Sequence, residues 1–313
     1  MSAAPLAKPP GCAHERRREL WGGLLARCQE CGLVSTARLP AFAYAEDYFV
    51  EDGPGYDFDS PFARAFDAGR FEHELDALEA RGLAGSVLDV GCAIGTFLSH
   101  AKARGWEIAG VELAEFARRE ASRRLDTEIV GSLAALPSGR RYDVVTLHHV
   151  LEHIQDPVAF LARDVAPRVG RLLLVEVPNF ASLAAQVEGP RWKDLRPEQH
   201  VHHFEPPTLR AVVEAAGFEV LRVYTLAEPL WSLRATLRTL RSLRALAGSR
   251  SFDPADLPPP APVETSDWRP PRALRRAVVG TNRTLLRPLV AWIERTLRAG
   301  RLVLEAQPGR AGS

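Results

Sequence analysis

A glycine turn between two short apolar runs carries the residues best suited to chemistry. Asp89 lies in the first run, Gly91 and Gly95 follow it, and Glu112 ends the second run. Glycine permits positive φ and a close approach of the backbone to a ligand, and N–H groups at a helix start attract polar or negative groups. A carboxylate about 20 residues after such a turn accepts hydrogen bonds from a ribose. The stretch is therefore predicted to hold a nucleoside.

The spacing of the glycines indicates which nucleoside. A dinucleotide site has the pattern G-x-G-x-x-G, whose glycines approach the pyrophosphate and pack the helix. Here Ala93 stands where the middle glycine belongs, and bulky Phe97 follows Gly95. S-adenosylmethionine (SAM) therefore fits this turn better than NAD.

Helices and strands alternate around this turn, which predicts a parallel sheet of the α/β class. A helix should begin near Thr96 and end at Gly105, because glycine commonly follows a helix end. Asp156 and Pro157 fit the N-cap and first position of a later helix. The predicted strands cover residues 86–91, 106–111, 128–131, 142–147, 171–177, 218–225 and 300–306.

Three stretches in this order resemble the first, second and fourth motifs of class I SAM-dependent methyltransferases. They read VLDVGCAIGTFL, VELAEF and YDVVTLHHVLEHIQDPVAFL, and the resemblance covers about residues 60–226. It implies a Rossmann-like, seven-stranded SAM methyltransferase sheet whose last two strands are antiparallel. Residues 227–299 would then be a helical insertion before the last strand.

The resemblance also implies a cofactor site. Asp89 would lie near the methionine end of SAM, Gly91 and Gly95 beneath it, and Glu112 on the ribose. Ser132 stands where the family often has an acid for the adenine amino group. The full predicted set is Asp89, Gly91, Cys92, Gly95, Glu112, Leu113, Ser132, Leu133 and His148.

Two histidines are predicted to be catalytic. His149 follows the strand 142–147, and ligands of open α/β sheets lie at the carboxyl ends of strands. His200 belongs to a phrase that resembles the family's PEHL-x-x-F. A histidine titrates near neutral pH and can act as a general base. The cluster around His200 has no acid at a helical spacing, so the sequence predicts no metal there.

Four residues near the N-terminus are predicted zinc ligands: Cys12, His14, Cys28 and Cys31. A C-x2-C pair followed by glycine is half of a zinc ribbon. Some small-molecule methyltransferases have a similar cysteine-pair module before the cofactor domain, although Cys12 and His14 depart from its pattern. The alternative is a module that packs without metal.

Charge is distributed unevenly along this chain of 313 residues. From residue 229 onward, 15 Arg stand against 6 Asp and Glu, although the whole chain has net charge +1. Residues 1–40 are predicted to be the zinc-ribbon-like module, 41–226 the methyltransferase core, 227–299 a helical insertion or lid, and 300–313 the final strand and tail. The basic insertion predicts either contact with an anionic membrane surface or a lid or dimer surface with solvated arginines.

The sequence therefore predicts a SAM-dependent methyltransferase acting on a small molecule. Oxygen, nitrogen and carbon remain open as the methylated atom, and sugars, secondary metabolites and quinone-like lipids as the acceptor. No nucleic-acid motif is present in the sequence. No signal-peptide pattern or long apolar run occurs, so the expected location is the cytoplasm. The alternative is a catalytically silent SAM-binding or interaction protein.

Overall fold

The computed structural model describes residues 16–38, 61–226 and 299–309. The strands are β1 (Arg17–Leu20), β2 (Leu25–Cys28), β3 (Val34–Thr36), β4 (Ser86–Val90), β5 (Glu107–Val111), β6 (Tyr142–His148), β7 (Val169–Pro178), β8 (His202–His203), β9 (Phe218–Leu226) and β10 (Arg301–Pro308). The α-helices are α1 (Pro61–Glu79), α2 (Thr96–Ala103), α3 (Glu115–Leu125), α4 (Pro157–Phe160), α5 (Leu183–Glu188) and α6 (Pro206–Ala215). Shorter helical turns cover Leu133–Ala135, Leu151–His153, Leu161–Val165, Ala166–Arg168 and Gly189–Arg191.

A central sheet of six strands has the order β5-β4-β6-β7-β10-β9. β5, β4, β6 and β7 are parallel, whereas β10 runs antiparallel to both β7 and β9. The strand predicted at 128–131 is reduced to one parallel bridge, in which Val130 pairs with Val111 at the outer edge of β5. With this bridge in the seventh position, the sheet has the predicted Rossmann-like arrangement.

Both faces of the sheet are covered, which explains why its inner strands read as nearly continuous apolar runs. Val87 and Val144 pack with Leu75 of α1 and Leu98 of α2 on one face. The neighbouring strand residues point to the opposite face, because side chains alternate along a strand. There, Leu88, Val145, Leu173, Leu161, Leu209 and Val212 share a second core with α6 and the turn before β7.

A second sheet joins the N-terminal segment to the core. Its order is β1-β2-β3-β8, and β8 comes from the segment that follows β7. The pairing of Ser35 with His202 brings residues 167 positions apart into one ladder. Arg27 adds a bidentate ion pair to Glu205, with both N–O distances at 2.8 Å. The N-terminal module is thus built onto the loop that leads to α6.

The cysteine pair forms the tight turn that the sequence predicts. Gly32 has φ 76°, and its N–H donates to the Cys28 carbonyl at 3.0 Å. Cys28 N in turn donates to the carbonyl of Leu33 at 2.9 Å, which closes the β2–β3 connection. Cys12 and His14 lie outside the described residues, so zinc binding by this module stays a prediction.

Other predictions fall partly outside the described chain. The predicted helical insertion lies almost entirely there, and its role as lid, membrane contact or dimer surface stays a prediction. Within the described ranges, no helix is both long enough and apolar enough to cross a membrane. The segment 178–205 contains α5, whose first turn is capped by Ser182 Oγ accepting from Ala185 N at 3.1 Å.

Candidate active site

A cavity of about 530 Å³ opens at the carboxyl ends of the parallel strands. One wall, the glycine side, is formed by residues from 89–97 and 111–113, although Ile94 and Gly95 do not line the cavity. The facing wall, the histidine side, is formed by residues from 149–160 and 193–200. Arg70 of α1 and Arg301 of β10 also line the cavity.

The turn on the glycine side requires glycine at its first position for two reasons. Gly91 has φ 75°, which disfavours any residue with a Cβ. A Cβ there would also lie only 2.5 Å from Cγ2 of Val150. The Gly91 N–H donates to the Val111 carbonyl at 2.7 Å, which ties the turn to the end of β5. Gly95 at φ 79° then starts α2, so the wall here is mainly backbone.

Glu112 is fixed at the tip of β5 and faces this turn. Its side chain accepts hydrogen bonds from Ala93 N at 2.9 Å and from Ala114 N at 2.8 Å. Burial raises the pKa of the Glu112 carboxyl, and the two backbone N–H donors oppose that rise. Each carboxylate oxygen keeps a second lone pair for a ligand hydroxyl. The carboxylate is therefore oriented before any ligand arrives.

Beside Glu112, Leu113 exposes 74% of its surface and lines the cavity. An exposed leucine next to a buried acid offers an apolar face to a flat ring. Ser132 and Leu133, predicted to contact adenine, are not among the residues that line this cavity. Their role as adenine contacts stays a prediction.

Asp89 and His148 form a buried charge pair at the ends of β4 and β6. Asp89 accepts a 2.7 Å hydrogen bond from Thr146 and lies 3.5 Å from His148 Nδ1. The other ring nitrogen of His148 is 3.0 Å from Glu74. Burial lowers the pKa of His148, but the charges of Glu74 and Asp89 outweigh it and raise the pKa to about 10. His148 is thus a fixed cation rather than a proton acceptor.

Cys92, also predicted to meet the cofactor, lines the cavity as a neutral thiol. Its side chain is buried, and that burial raises the pKa of the thiol well above its ordinary value. The charges of Asp89 and Glu112 add to this rise. A neutral buried thiol is inert, so Cys92 contributes packing to the wall rather than a nucleophile.

His149, predicted to be catalytic, is held between two carboxylates. Its Nδ1 is 3.2 Å from Glu152, and its Nε2 is 3.2 Å from Glu176. Burial lowers the pKa of His149, but these hydrogen bonds prevail and raise the pKa to about 9. His149 therefore lines the cavity as a cation at neutral pH, a state unsuited to a general base.

His200 is buried and, unlike His149, carries no charge. Its ring makes an edge contact with His153, with centroids 4.8 Å apart. Burial lowers the pKa of His200 to about 3, so the imidazole is neutral. The carbonyl of His200 accepts from Thr36 Oγ1 at 2.6 Å. The catalytic candidate His200 therefore presents a neutral ring to the cavity, held from behind by β3.

Several site residues were missed from the sequence. Glu176 is fully buried, and Arg70 at 2.7 Å, Arg301 at 3.3 Å and His149 surround its carboxylate. Burial would raise the pKa of Glu176, but the two arginines hold it well below its usual range. An acid inside the apolar run of β7 was the available signal. For Arg70 and Glu74 the signal was their spacing of four residues on α1, beside the buried Phe71 and Leu75.

The parallel sheet, the glycine turn and the buried acid at the next strand tip define the class I methyltransferase type of α/β protein. A sequence comparison agrees: the Methyltransferase domain family matches residues 63–223. The chain therefore belongs to this methyltransferase family.

Curated relatives carry one name, ubiquinone biosynthesis O-methyltransferase. The relative from Xanthomonas oryzae pv. oryzae is 33% identical over 193 residues, which cover 55% of this chain and 80% of the relative. The relative from Idiomarina loihiensis is 30% identical over 171 residues, covering 50% of this chain and 68% of the relative. These matches confirm the predicted enzyme class, a SAM-dependent methyltransferase acting on small molecules.

Two solved methyltransferase structures illustrate the structural similarity. Magnesium protoporphyrin IX methyltransferase from Synechocystis, solved with bound SAH, is 22% identical, with a TM-score of 0.43, covering 51% of this chain and 78% of that one. A SAM-dependent methyltransferase from Archaeoglobus fulgidus is 19% identical, with a TM-score of 0.45, covering 78% of this chain and 94% of that one.

Proposed function

We propose that this chain transfers the methyl group of SAM to a hydroxyl oxygen of a small, partly apolar acceptor. The observation that carries the proposal is the neutral ring of His200 beside the carboxylate of Glu152, on the wall facing the glycine turn. Such groups bind and orient a hydroxyl, whereas Val150, Ile154 and Phe160 in the same cavity suit an apolar ring or chain. The relatives' name, O-methyltransferase, supports oxygen as the methylated atom.

The residues of the glycine side fit SAM. Gly91 leaves room that a Cβ would remove, since that atom would lie 2.5 Å from Val150. Glu112 is fixed by two backbone N–H groups and has lone pairs left for the ribose hydroxyls. SAM, when bound, supplies a methyl group that its sulfonium already activates. The residues of this wall bind and orient it, which is the main requirement of such a transfer.

The histidine side would position the acceptor. His200 and Glu152 are buried at 5% and 1% exposure, so their interactions with a hydroxyl are little screened by water. The cations His149 and Arg301 border the same space and favour negative charge developing on the acceptor oxygen. The glycine side therefore orients SAM, and the histidine side stabilises an oxyanion of the acceptor.

The test uses the purified full chain, SAM with a labelled methyl group, and a panel of phenols, catechols and sugars. We expect a labelled ether product from a hydroxylated aromatic compound, identified by mass spectrometry. Glu112→Ala should lower product formation on the order of 100-fold at sub-saturating SAM, whereas the matched control Glu107→Ala should not. Glu107 is an exposed acid on the same strand that pairs with Arg140 outside the cavity.

Other outcomes discriminate between functions. A label found on carbon or nitrogen would contradict transfer to oxygen. SAM binding in calorimetry without any methylated product across the panel would favour the silent SAM-binding alternative. Loss of vesicle binding on deletion of residues 229–247 would support a membrane-surface role with a lipid acceptor, and unchanged vesicle binding would remove that role.

A further inference from the structure

We propose that Glu152, His153 and His200 form a binding site for one divalent transition-metal ion on the histidine side of the cavity. Glu152 and His153 belong to the helical turn Leu151–His153 after β6, and His200 precedes β8. One ligand atom from each of the three side chains lies within 4.8 Å of the other two. The acid that the histidine cluster lacks at a helical spacing is therefore supplied by Glu152, 48 positions before His200.

One oxygen of the Glu152 carboxylate is a candidate metal ligand. Oε1 faces His149 Nδ1 at 3.2 Å, but Oε2 is buried and has no hydrogen-bond partner in the described part of the chain. Buried polar atoms are nearly always paired, and an unpaired one is destabilising. A metal ion at Oε2 would satisfy this atom. His149 would then orient the ligating carboxylate, as outer partners of metal ligands do.

The two histidines are arranged to present lone pairs. His153 Nδ1 lies 3.2 Å from the Gln199 carbonyl, which can only accept, so Nδ1 donates and Nε2 carries the lone pair. A histidine that donates its second nitrogen to a carbonyl is the usual form of a metal ligand. The His200 ring packs edge-on against His153, with centroids 4.8 Å apart, so nitrogen atoms of both rings lie near the same point.

The backbone holds these segments together before any ion binds. Val201 N donates to the Glu152 carbonyl at 2.8 Å, and Thr36 Oγ1 fixes the His200 carbonyl at 2.6 Å. Ligands about 2.1 Å from a tetrahedral ion lie about 3.4 Å apart. The ligand atoms, which lie within 4.8 Å of one another, therefore need to approach by at most about 1.4 Å, within the reach of rotamer changes on a fixed backbone.

The ligand set indicates the kind of metal and leaves it open to a substrate. Two imidazoles and one carboxylate suit Zn²⁺, Co²⁺, Mn²⁺ or Fe²⁺, whereas Mg²⁺ and Ca²⁺ prefer oxygen ligands. Three protein ligands leave a position toward the cavity, which all three residues line. An acceptor hydroxyl bound there would lose its proton to solvent more readily. Its oxygen would then bond to the methyl carbon as the carbon–sulfur bond of SAM breaks, with that electron pair left on sulfur.

This last role rests on the proposed function, but metal binding does not, so the two are tested separately. The first experiment titrates chelator-treated full-length protein with Co²⁺ and follows visible absorption and calorimetric heat. We expect wild type to bind one more equivalent than His200→Ala or the near-isosteric Glu152→Gln. His73→Ala, which removes an exposed histidine outside the cavity, should bind like wild type.

Two further measurements distinguish loss of the metal site from cobalt bound at cysteines and from misfolding of a variant. Thiolate-to-cobalt absorption reports metal held by cysteines of the N-terminal module and should be equal in all four proteins. SAM affinity should also be equal, which shows that each variant is folded. Equal Co²⁺ stoichiometry and affinity in wild type and His200→Ala would overturn the site, as would Mg²⁺ binding as tightly as Co²⁺.

The second experiment measures methyl transfer with and without added Zn²⁺ or Mn²⁺. A rate that falls at least tenfold in chelated protein, at unchanged SAM affinity, would support the activating role. An undiminished rate would overturn that role. Absence of any product from a protein that binds Co²⁺ through Glu152 and His200 would contradict the proposed function while leaving the metal site intact.

Discussion

The two walls of the cavity are built in different ways. The glycine side comes from one continuous stretch, in which Asp89, Gly91 and Glu112 lie within two adjacent strands and the turn between them. The histidine side joins Glu152, His200 and Thr36, and the last two are 164 positions apart in the chain. One wall is local and the other depends on tertiary contacts. We therefore expect changes to the first to act on cofactor binding, and changes to the second on the acceptor and metal.

The largest effect is expected at Glu176, whose buried carboxylate lies behind the histidine side, among His149 and the two arginines that border the cavity. Glu176→Ala would leave Arg70, Arg301 and His149 around a buried site without their carboxylate. Removing one partner of a buried ion pair costs about 3–5 kcal/mol. We expect this loss in the free energy of unfolding, measured by urea denaturation. Glu219→Ala, an exposed acid of β9, should change it by less than about 0.5 kcal/mol. Equal effects would mean that this buried ion cluster does not stabilise the fold.

A pH series sharpens the description of the glycine side. The folded-state pKa of His148 is about 10, against its ordinary value of 6.5. Its contribution to stability is therefore complete below pH 6.5 and is lost as pH rises through about 10. With about 1.4 kcal/mol for each pKa unit, wild type should lose a few kcal/mol over this range. His148→Asn should show a flatter profile, and parallel profiles would refute the buried charge pair.

Glu112→Ala should affect cofactor binding alone. The substitution removes the acceptor of the Ala93 and Ala114 N–H groups and the proposed partner of the ribose hydroxyls, so SAM affinity should fall on the order of 100-fold, about 2.7 kcal/mol. Calorimetry with SAM measures this, and Co²⁺ binding at the histidine side should stay unchanged. A parallel loss of Co²⁺ binding would contradict the view that the two walls bind their ligands independently.

Gly91→Ala separates backbone strain from steric clash. The new Cβ meets Val150 at 2.5 Å and φ is 75°, so we expect a loss of about 2 kcal/mol in unfolding free energy. Gly82 has φ 67° but no atom within 4 Å of a Cβ, so Gly82→Ala should lose only about 1 kcal/mol. Adding Val150→Ala to Gly91→Ala should recover the difference. Failure to recover it would show that the clash is not the cause.

The smallest effect is expected at the support of the histidine side. Thr36→Val removes the hydroxyl bonded to the His200 carbonyl, with an expected loss of about 1 kcal/mol. The acceptor KM and the Co²⁺ dissociation constant should rise while SAM affinity is unchanged. Ser35→Ala is the matched control, because Ser35 contacts His202, whose Nε2 faces the Gln155 carbonyl. Equal shifts in both variants would deny Thr36 a specific role.

The same contrast explains what the sequence could predict. The turn at Gly91, the helix start at Thr96 and the Asp156 cap, which accepts from Ala159 N at 2.9 Å, depend on neighbouring residues. Local periodicity and capping patterns therefore located them, and the family motifs placed Glu112. The predicted sheet also formed, because its strands read as apolar runs between turn signals.

The histidine side could not be predicted from local sequence patterns. His149 was predicted to be a base, but Glu152 and Glu176 make it a cation, and Glu176 approaches only because β7 pairs with β6. The joining of β3 to β8 likewise depends on hydrogen bonds between distant backbone segments. His200 was rejected as a metal ligand because its acidic neighbour arrives through folding, not through sequence spacing.

The end of the sheet has a consequence for how this enzyme could diversify. Leu226 and Arg301 are paired across β9 and β10, so residues 227–300 depart and return at one point, where Arg301 also borders the cavity. The entropy of closing such a loop grows only logarithmically with its length. Exchange of residues 227–300 between homologous enzymes should thus change which acceptors enter the cavity. The free energy of unfolding of the sheet should change little.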